Sequence, residues 1–442
     1  MARRLFGTDG VRGPAGTKIT AELAVALASA AVRHAAGSKV HERPQVVVIR
    51  DTRESGTMLE AAIAAGVAAA GGDALLGGVL PTPAAPLLIR RFGFDLGVVL
   101  SASHNPFQDN GIKFFGADGD KLSDAEEEEI EALLEQPPAP DADVGRVRAL
   151  HGTLEDYLRE LHTRFQGLDL NGLDVLLDCA NGAAYRAAPE IFRRLGATVT
   201  ATGVDPDGRN INDGCGSTHV EKLATQVREG GHDLGFAFDG DADRVLAADR
   251  HGAVVDGDEL IALAALHLQR HDRLPGHGVA VTVMTNYGFH TAMREADIEV
   301  ATTQVGDRYV IEALRERGFA LGGEQSGHII DLGFTSTGDG IASALLVLEA
   351  LGGGDLAERH GMDKLPQRLV NVRVADRDAA LQDSGVTEAV TRESEALEGR
   401  GRVLVRPSGT EPVVRVMVEA PTEDEAAAVC DRLVVLMQGV TA

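Results

Sequence analysis

The sequence predicts an α/β protein that ends in a smaller α+β domain. Three observations carry this. Short Val-rich apolar runs recur through the first three-quarters of the chain, most of them end in a polar turn containing glycine, and Ala/Leu-rich helical patterns follow. At about 100–200 residues per domain, 442 residues predict two to four domains. Breaks in pattern place boundaries near 155, 255 and 368, giving segments 1–155, 156–255, 256–368 and 369–442.

The runs Val46–Ile49, Gly97–Leu100, Val175–Leu177, Gly235–Phe238 and Val279–Met284 are uninterrupted, as buried parallel strands are. The turns Arg50–Gly56, Ser101–Pro106, Asp178–Gly182 and Asp239–Arg244 follow the first four. Ligands of such sheets bind beyond the carboxyl ends of the strands, where these turns lie. Ser123 and Glu126 form a capping box that opens an acidic helix through Glu135. The proline-rich stretch 136–140 stops that helix and reads as a linker. In the last segment Leu369–Val374, Val403–Val405 and Val413–Val418 follow short strand patterns, several alternating with polar residues. They predict an antiparallel sheet solvated on one face. A capping box at Thr422 and Glu425 opens a final helix through about Met437.

Composition excludes several functions. With 42 Lys+Arg against 67 Asp+Glu the net charge is -25, which opposes binding to nucleic-acid phosphates and to anionic membranes. Aromatics are 4% and Trp is absent, so stacking platforms for single strands are not expected. No apolar stretch of about 18 residues spans a bilayer, and no apolar run follows the N-terminal arginines. Cys179, Cys215 and Cys430 are too few for a disulfide framework and lack zinc spacing, so the reducing cytoplasm is the expected compartment. Only six of the 42 basic residues are lysines, so a lysine inside a polar motif draws notice.

Four segments carry chemistry. Ser101–Pro106 (SASHNP) presents a hydroxyl beside His104 at a strand end. A serine there can be a nucleophile or phosphate carrier, with Lys113 returning as a cation or general acid/base, although the hexapeptide alone reads better as a plain turn. Asp239, Asp241 and Asp243 alternate on one loop, where hard oxygen ligands suit Mg²⁺. An EF-hand fails, because Arg244 and Arg250 stand where Gly and Glu are needed. Without a cation, three clustered carboxylates would repel one another. Gly322–His328 (GGEQSGH) offers Glu324, Ser326 and His328 to sugar hydroxyls, though by itself it is a weak signal. Arg406–Glu411 (RPSGTE) combines the amides and hydroxyls of Ser408, Gly409 and Thr410 with Arg406, and the next strand adds Arg415. That is an anion nest with forked donors. The opening FGTDGVRG, with Arg12, could wrap the same anion site. Together these supply a serine carrier, a metal site, a sugar loop and a phosphate clamp.

The motifs resemble the α-D-phosphohexomutase superfamily over essentially the whole chain. They are FGTDGVRG at 6–13, DTRESG at 51–56, SASHNP at 101–106, DNGIKFF at 109–115, NINDGCGSTH at 210–219, DGDADR at 239–244, VGDRYV at 305–310, GEQSGH at 323–328, TGDG at 337–340 and RPSGTEP at 406–412. Gln325 and the NINDGCGSTH segment are similar to the glucosamine branch. The resemblance implies four domains around a central cleft, three related α/β domains and a smaller mobile one. It implies Ser103 as phosphoserine, with Asp239, Asp241, Asp243 and that phosphoserine holding one Mg²⁺. Glu324, Ser326 and His328 would contact the sugar, and Arg406, Ser408, Gly409, Thr410 and Arg415 the non-reacting phosphate. Arg12, His104, Lys113 and Arg244 would line the reacting centre, with Lys113 or His328 moving the proton. The implied activity interconverts glucosamine 6-phosphate and glucosamine 1-phosphate through a 1,6-bisphosphate, glucosamine or glucose 1,6-bisphosphate serving as activator, and feeds UDP-N-acetylglucosamine and cell-wall precursors. A homodimer is the implied assembly. The alternatives are a phosphomannomutase/phosphoglucomutase and a non-catalytic phosphosugar binder; the intact Ser103 and aspartate trio argue against the binder.

Overall fold

Every residue of the strand Leu96–Leu100 is buried, and this run sits inside the largest sheet of the computed structural model. The structure describes residues 5–7, 9–37, 41–136, 143–374, 376–407 and 413–440. Among them lie four sheets, of six, five, four and three strands. The described chain groups into two compact units, one of residues 1–283 with 301–359, the other of 284–300 with 360–442.

In the six-stranded sheet Gln45–Arg50 runs parallel to both Asp73–Val79 and Leu96–Leu100, while Leu96–Leu100 pairs antiparallel with Asp109–Gly116. The sheet is therefore mixed, not wholly parallel. An uninterrupted apolar run reports burial on both faces and does not report the direction of its neighbour. The same holds for Leu234–Phe238, parallel to Asp174–Asp178 and antiparallel to Val245–Asp249. The third sheet pairs Gly278–Thr282 parallel to Leu321–Gly323, which is antiparallel to Ile329–Asp331. The strand expected through Met284 stops at Thr282, where a turn begins.

Helices Ala21–Ala35 and Ser55–Ala69 share an apolar core with the first sheet. They approach so closely that a Cβ on Gly66 would sit 2.4 Å from the Val25 carbonyl oxygen. The Ser123–Glu126 capping box forms, and its helix runs Asp124–Leu134; the expected linker falls largely outside the described residues.

The second unit carries the antiparallel sheet Gln367–Arg373, Val413–Glu419 and Arg402–Pro407, with Val413–Glu419 central. One face of that sheet packs with the helix Glu423–Val440 around Val414, Val416, Val418 and Leu433. Glu419 is fully buried there and accepts from the Tyr287 amide at 2.8 Å and Arg402 Nε at 2.8 Å. Those bonds tie the helix Tyr287–Glu295 into this unit.

Among the described residues no helix is long and apolar enough to cross a membrane, and the three cysteines are unpaired and buried.

Candidate active site

Ser103 follows the strand Leu96–Leu100 in a turn that forces its backbone to φ 51°, the left-handed region that costs a non-glycine residue roughly 1–2 kcal/mol. That conformation turns its hydroxyl into the protein. The side chain is about 1% exposed, and Oγ donates to Asp239 Oδ2 at 2.5 Å. His104 Nδ1 lies 3.4 Å from the same Oγ.

Asp239, Asp241 and Asp243 follow the buried strand Leu234–Phe238. Ala242, at φ 59°, bends the loop so that ligand atoms of all three carboxylates lie within 4.8 Å of one another. All three are buried. Gly240 has no room for a side chain: a Cβ there would sit 2.5 Å from the Ser103 carbonyl oxygen.

Lys113 enters from the neighbouring strand Asp109–Gly116 and is as buried as the carboxylates. Its Nζ lies 2.8 Å from Asp241 Oδ2, 3.5 Å from Asp243 Oδ2 and 3.1 Å from Asp9 Oδ2. The Arg244 amide donates to Asp239 Oδ1 at 3.2 Å, and its Nε lies 3.8 Å from Asp243 Oδ1. Arg12 pairs with Asp9.

Burial, then the charges of Asp243 and Asp241, push the Asp239 carboxyl well up. Burial is the largest influence on Asp241 and Asp243 and raises both, and the charge of Asp243 adds to the rise at Asp241; Lys113 with the Thr82 hydroxyl at Asp241, and Lys113 with His328 and Arg244 at Asp243, together hold both below the usual carboxylate range. The trio thus keeps two carboxylates ionised and favours a proton on the third. Asp241 Oδ1 and Asp243 Oδ1 are buried with no hydrogen-bond partner. Orphaned hard oxygens on converging carboxylates fit a divalent cation. These three residues can therefore hold a metal ion.

The Gly322–His328 loop is hydrogen-bonded to the chain around this cluster. The Val245 amide donates to Gly327 O at 3.0 Å, and the Gly340 amide, in TGDG, to Ala242 O at 2.9 Å. Glu324 Oε1 accepts from the Gly306 amide at 3.0 Å, Ser326 is exposed, and Gly257 donates to Gln325 O at 3.0 Å. His328 is buried, with Nδ1 3.6 Å from Asp243 Oδ1 and Nε2 3.9 Å from Asp307 Oδ2.

Arg406 and Arg415 belong to the second unit, where they face each other across the antiparallel pair of strands. Burial, then the charge of Arg415, lowers the Arg406 guanidinium from its usual value, and Arg415 Nε is buried with no hydrogen-bond partner. Ser408, Gly409 and Thr410 lie outside the described residues.

Several residues at this centre had no assigned role in the sequence reading. Thr82 Oγ1 donates to Asp241 Oδ2 at 2.6 Å. Lys121 pairs with Asp9 at 2.5 Å and with Asp307. The scarcity of lysine pointed at Lys121, since two of the six lysines stand in this network; nothing local marks Thr82.

The chain matches four domains of one family in order: phosphoglucomutase/phosphomannomutase alpha/beta/alpha domain I at residues 3–140, domain II at 150–252, domain III at 256–368, and the C-terminal domain at 369–435. A phosphoglucosamine mutase of Moorella thermoacetica is 51% identical over 430 residues, covering 96% of each chain. One of Mycolicibacterium gilvum is 51% identical, again over 96% of both. A solved phosphoglucomutase/phosphomannomutase family protein from Burkholderia thailandensis shares the fold with a TM-score of 0.83 at 23% identity, over 99% of this chain and 98% of that one. The N-acetylphosphoglucosamine mutase of Aspergillus fumigatus, solved with GlcNAc-6P and magnesium, gives 0.69 at 18% identity, over 99% and 96%. With all four domains in order and half the residues shared with these relatives, the chain belongs to the phosphoglucosamine mutases of the α-D-phosphohexomutase superfamily.

Proposed function

We propose that the chain interconverts glucosamine 6-phosphate and glucosamine 1-phosphate, with Ser103 as the phosphoryl carrier. The observation that carries this is the 2.5 Å bond from Ser103 Oγ into the Asp239–Asp243 cluster: the nucleophile and the candidate metal site are one structure. The family membership supports the amino-sugar substrate.

In this reading the P–Oγ bond of phosphorylated Ser103 breaks as a bond forms from phosphorus to the sugar O1. The electron pair of the broken bond stays on Ser103 Oγ, and the O1 proton passes to a protein base. Transfer back from O6 of the reoriented bisphosphate completes the cycle. One Mg²⁺ held by Asp239, Asp241, Asp243 and Ser103 would neutralise charge on the transferring group. Lys113, Arg12 and Arg244 add fixed positive charge at the same place. Burial, then the charges of Arg244 and Arg12, pull the His104 imidazole down to about 4, so the ring is neutral at pH 7 without phosphate on Ser103. His104 lines the reacting centre, and Lys113 or His328 takes the proton of the sugar hydroxyl. Glu324, Ser326 and His328 contact the sugar, and Arg406, Arg415 and the Ser408–Thr410 turn read the non-reacting phosphate. A glucosamine or glucose 1,6-bisphosphate serves as activator, the compartment is the cytoplasm, and a homodimer is the assembly.

The test is kcat/KM for glucosamine, glucose and mannose 6-phosphates side by side, with Mg²⁺ and a trace of 1,6-bisphosphate. The expected preference for glucosamine is about 100-fold, or about 2.7 kcal/mol in transition-state binding. Equal or better turnover of glucose or mannose phosphate would overturn the substrate and leave the chemistry.

A further inference from the structure

Among the motifs without a role in the reaction are DTRESG at 51–56 and NINDGCGSTH at 210–219. The structure brings both onto the serine turn. Arg53 is fully buried, and all five of its N–H donors are used: Nε to Asp51 Oδ2 at 2.8 Å, one terminal nitrogen to Pro106 O and to Asp109 O at 3.0 Å, the other to Ser103 O at 2.9 Å and Asn105 O at 2.7 Å. From the opposite motif Asn212 Nδ2 donates to the same two carbonyls, Ser103 O at 2.9 Å and Asn105 O at 3.1 Å. Its Oδ1 has no partner, so the contribution of this side chain here is its NH₂ group.

Other bonds fix the two motifs to the turn and to each other. Asp51 Oδ2 accepts from Ser101 Oγ at 2.6 Å, and Ser101 Oγ accepts from the Ser103 amide at 2.9 Å. Thr52 Oγ1 donates to Asn181 O at 2.6 Å, and the Glu54 amide to Gly208 O at 2.9 Å. The Ser103 amide and carbonyl are thus both held, on opposite sides of a residue whose φ of 51° is unfavourable without such support.

We infer that Arg53 and Asn212 are positioning residues for phosphoryl transfer: they close as a pincer on the Ser103 and Asn105 carbonyls and so hold the left-handed serine that aims Oγ at Asp239. This rests on the reading of Ser103 as the carrier. A buried guanidinium and an amide suit the task because carbonyl oxygens need donors, and each carbonyl here takes two. Lysine, with three donors and no fork, cannot replace five directed bonds.

The deciding variant is Asn212→Asp. It keeps the size of the side chain and tolerates the φ of 59° at this position, but turns an acceptor toward two carbonyls. Asn212→Gly keeps the backbone and removes the donor, and Arg53→Lys keeps the charge against Asp51. Each is measured for kcat, KM for glucosamine 6-phosphate, phosphate on Ser103 by intact mass, and single-turnover transfer per phosphoserine, with melting as the check on folding. Expected is a loss of about 100-fold in transfer per phosphoserine, the effect of misplacing a reacting atom by about 1 Å, with KM within about threefold of wild type. A variant that only loosened the fold would lower the amount of active protein and leave transfer per phosphoserine unchanged. Wild-type transfer per phosphoserine in a folded Asn212→Asp or Asn212→Gly protein overturns the pincer. Equal turnover by Ser103→Ala and wild type would instead overturn the carrier on which it rests.

Discussion

Lys113 Nζ lies 2.8 Å from Asp241 Oδ2, and both side chains are about 1% exposed. A lysine this deep is tolerable only beside compensating charge, and Asp241, Asp243 and Asp9 supply it. The dependence runs both ways, since Lys113 is the cation that lowers both Asp241 and Asp243 against their burial.

Lys113→Met therefore leaves buried carboxylates uncompensated. Removing one partner of such a pair costs about 3–5 kcal/mol. A divalent cation in the same cluster would replace the missing charge, and a ligand at 100 times its Kd returns about 2.7 kcal/mol. Urea unfolding in EDTA and in excess Mg²⁺ checks this. The variant is expected to be destabilised far more in EDTA than in Mg²⁺, and an equal deficit in both would remove the metal from the cluster. On the proposed reaction, turnover is expected to fall steeply in either case, because a fixed positive charge beside Ser103 and the aspartates is gone.

Asp241→Asn separates the metal from the fold. Asn keeps an oxygen to accept from Thr82 and Lys113, so the loop is expected to hold. It removes the negative charge that Asp241 contributes to the cluster. The Mg²⁺ concentration for half-maximal activity is expected to rise at least about tenfold, which is about 1.4 kcal/mol of metal binding. An unchanged Mg²⁺ titration would mean that Asp241 is not a ligand.

Much of this centre was legible in the chain because its parts are local. Asp239, Asp241 and Asp243 sit on one loop, and Ser103 and His104 on another, so each chemical element appears as a short motif. The strands were legible for a similar reason: Val175–Leu177 lies within the observed Asp174–Asp178, and Gly235–Phe238 within Leu234–Phe238. What could not be read is convergence. Thr82, Asp9, Lys121 and Asp307 come from segments remote in sequence; Asp9 and Asp307 stand in motifs that carry the resemblance, but nothing in those motifs states that the four meet. Strand direction was illegible too. Val245–Asp249 returns antiparallel beside Leu234–Phe238 because the aspartate loop between them is a tight reversal, which burial alone does not encode.

Asp339, in the segment bonded to the aspartate loop through Gly340, is expected to give the chain a pH dependence. It caps the helix Gly340–Leu351, accepting from the Ala342 amide at 2.9 Å, and it accepts from Tyr157 Oη at 3.0 Å. Burial raises its carboxyl from 3.8 to about 7, against the opposing pull of those bonds. The unfolded chain loses this proton near 4, the folded chain only near 7. Between those values the folded state binds more protons, so stability falls as pH rises through that window and levels off above it. At about 1.4 kcal/mol per unit the full cost above pH 7 is about 4 kcal/mol. Asp339→Asn keeps the capping oxygen, since Asn is as good a cap as Asp, and deletes the titration. Its stability relative to wild type is expected to increase from pH 5 to pH 8, measured by urea unfolding at both. Curves that stay parallel across that range would show that Asp339 is already ionised in the folded protein, held by Tyr157 and the helix N-terminus more firmly than burial opposes it.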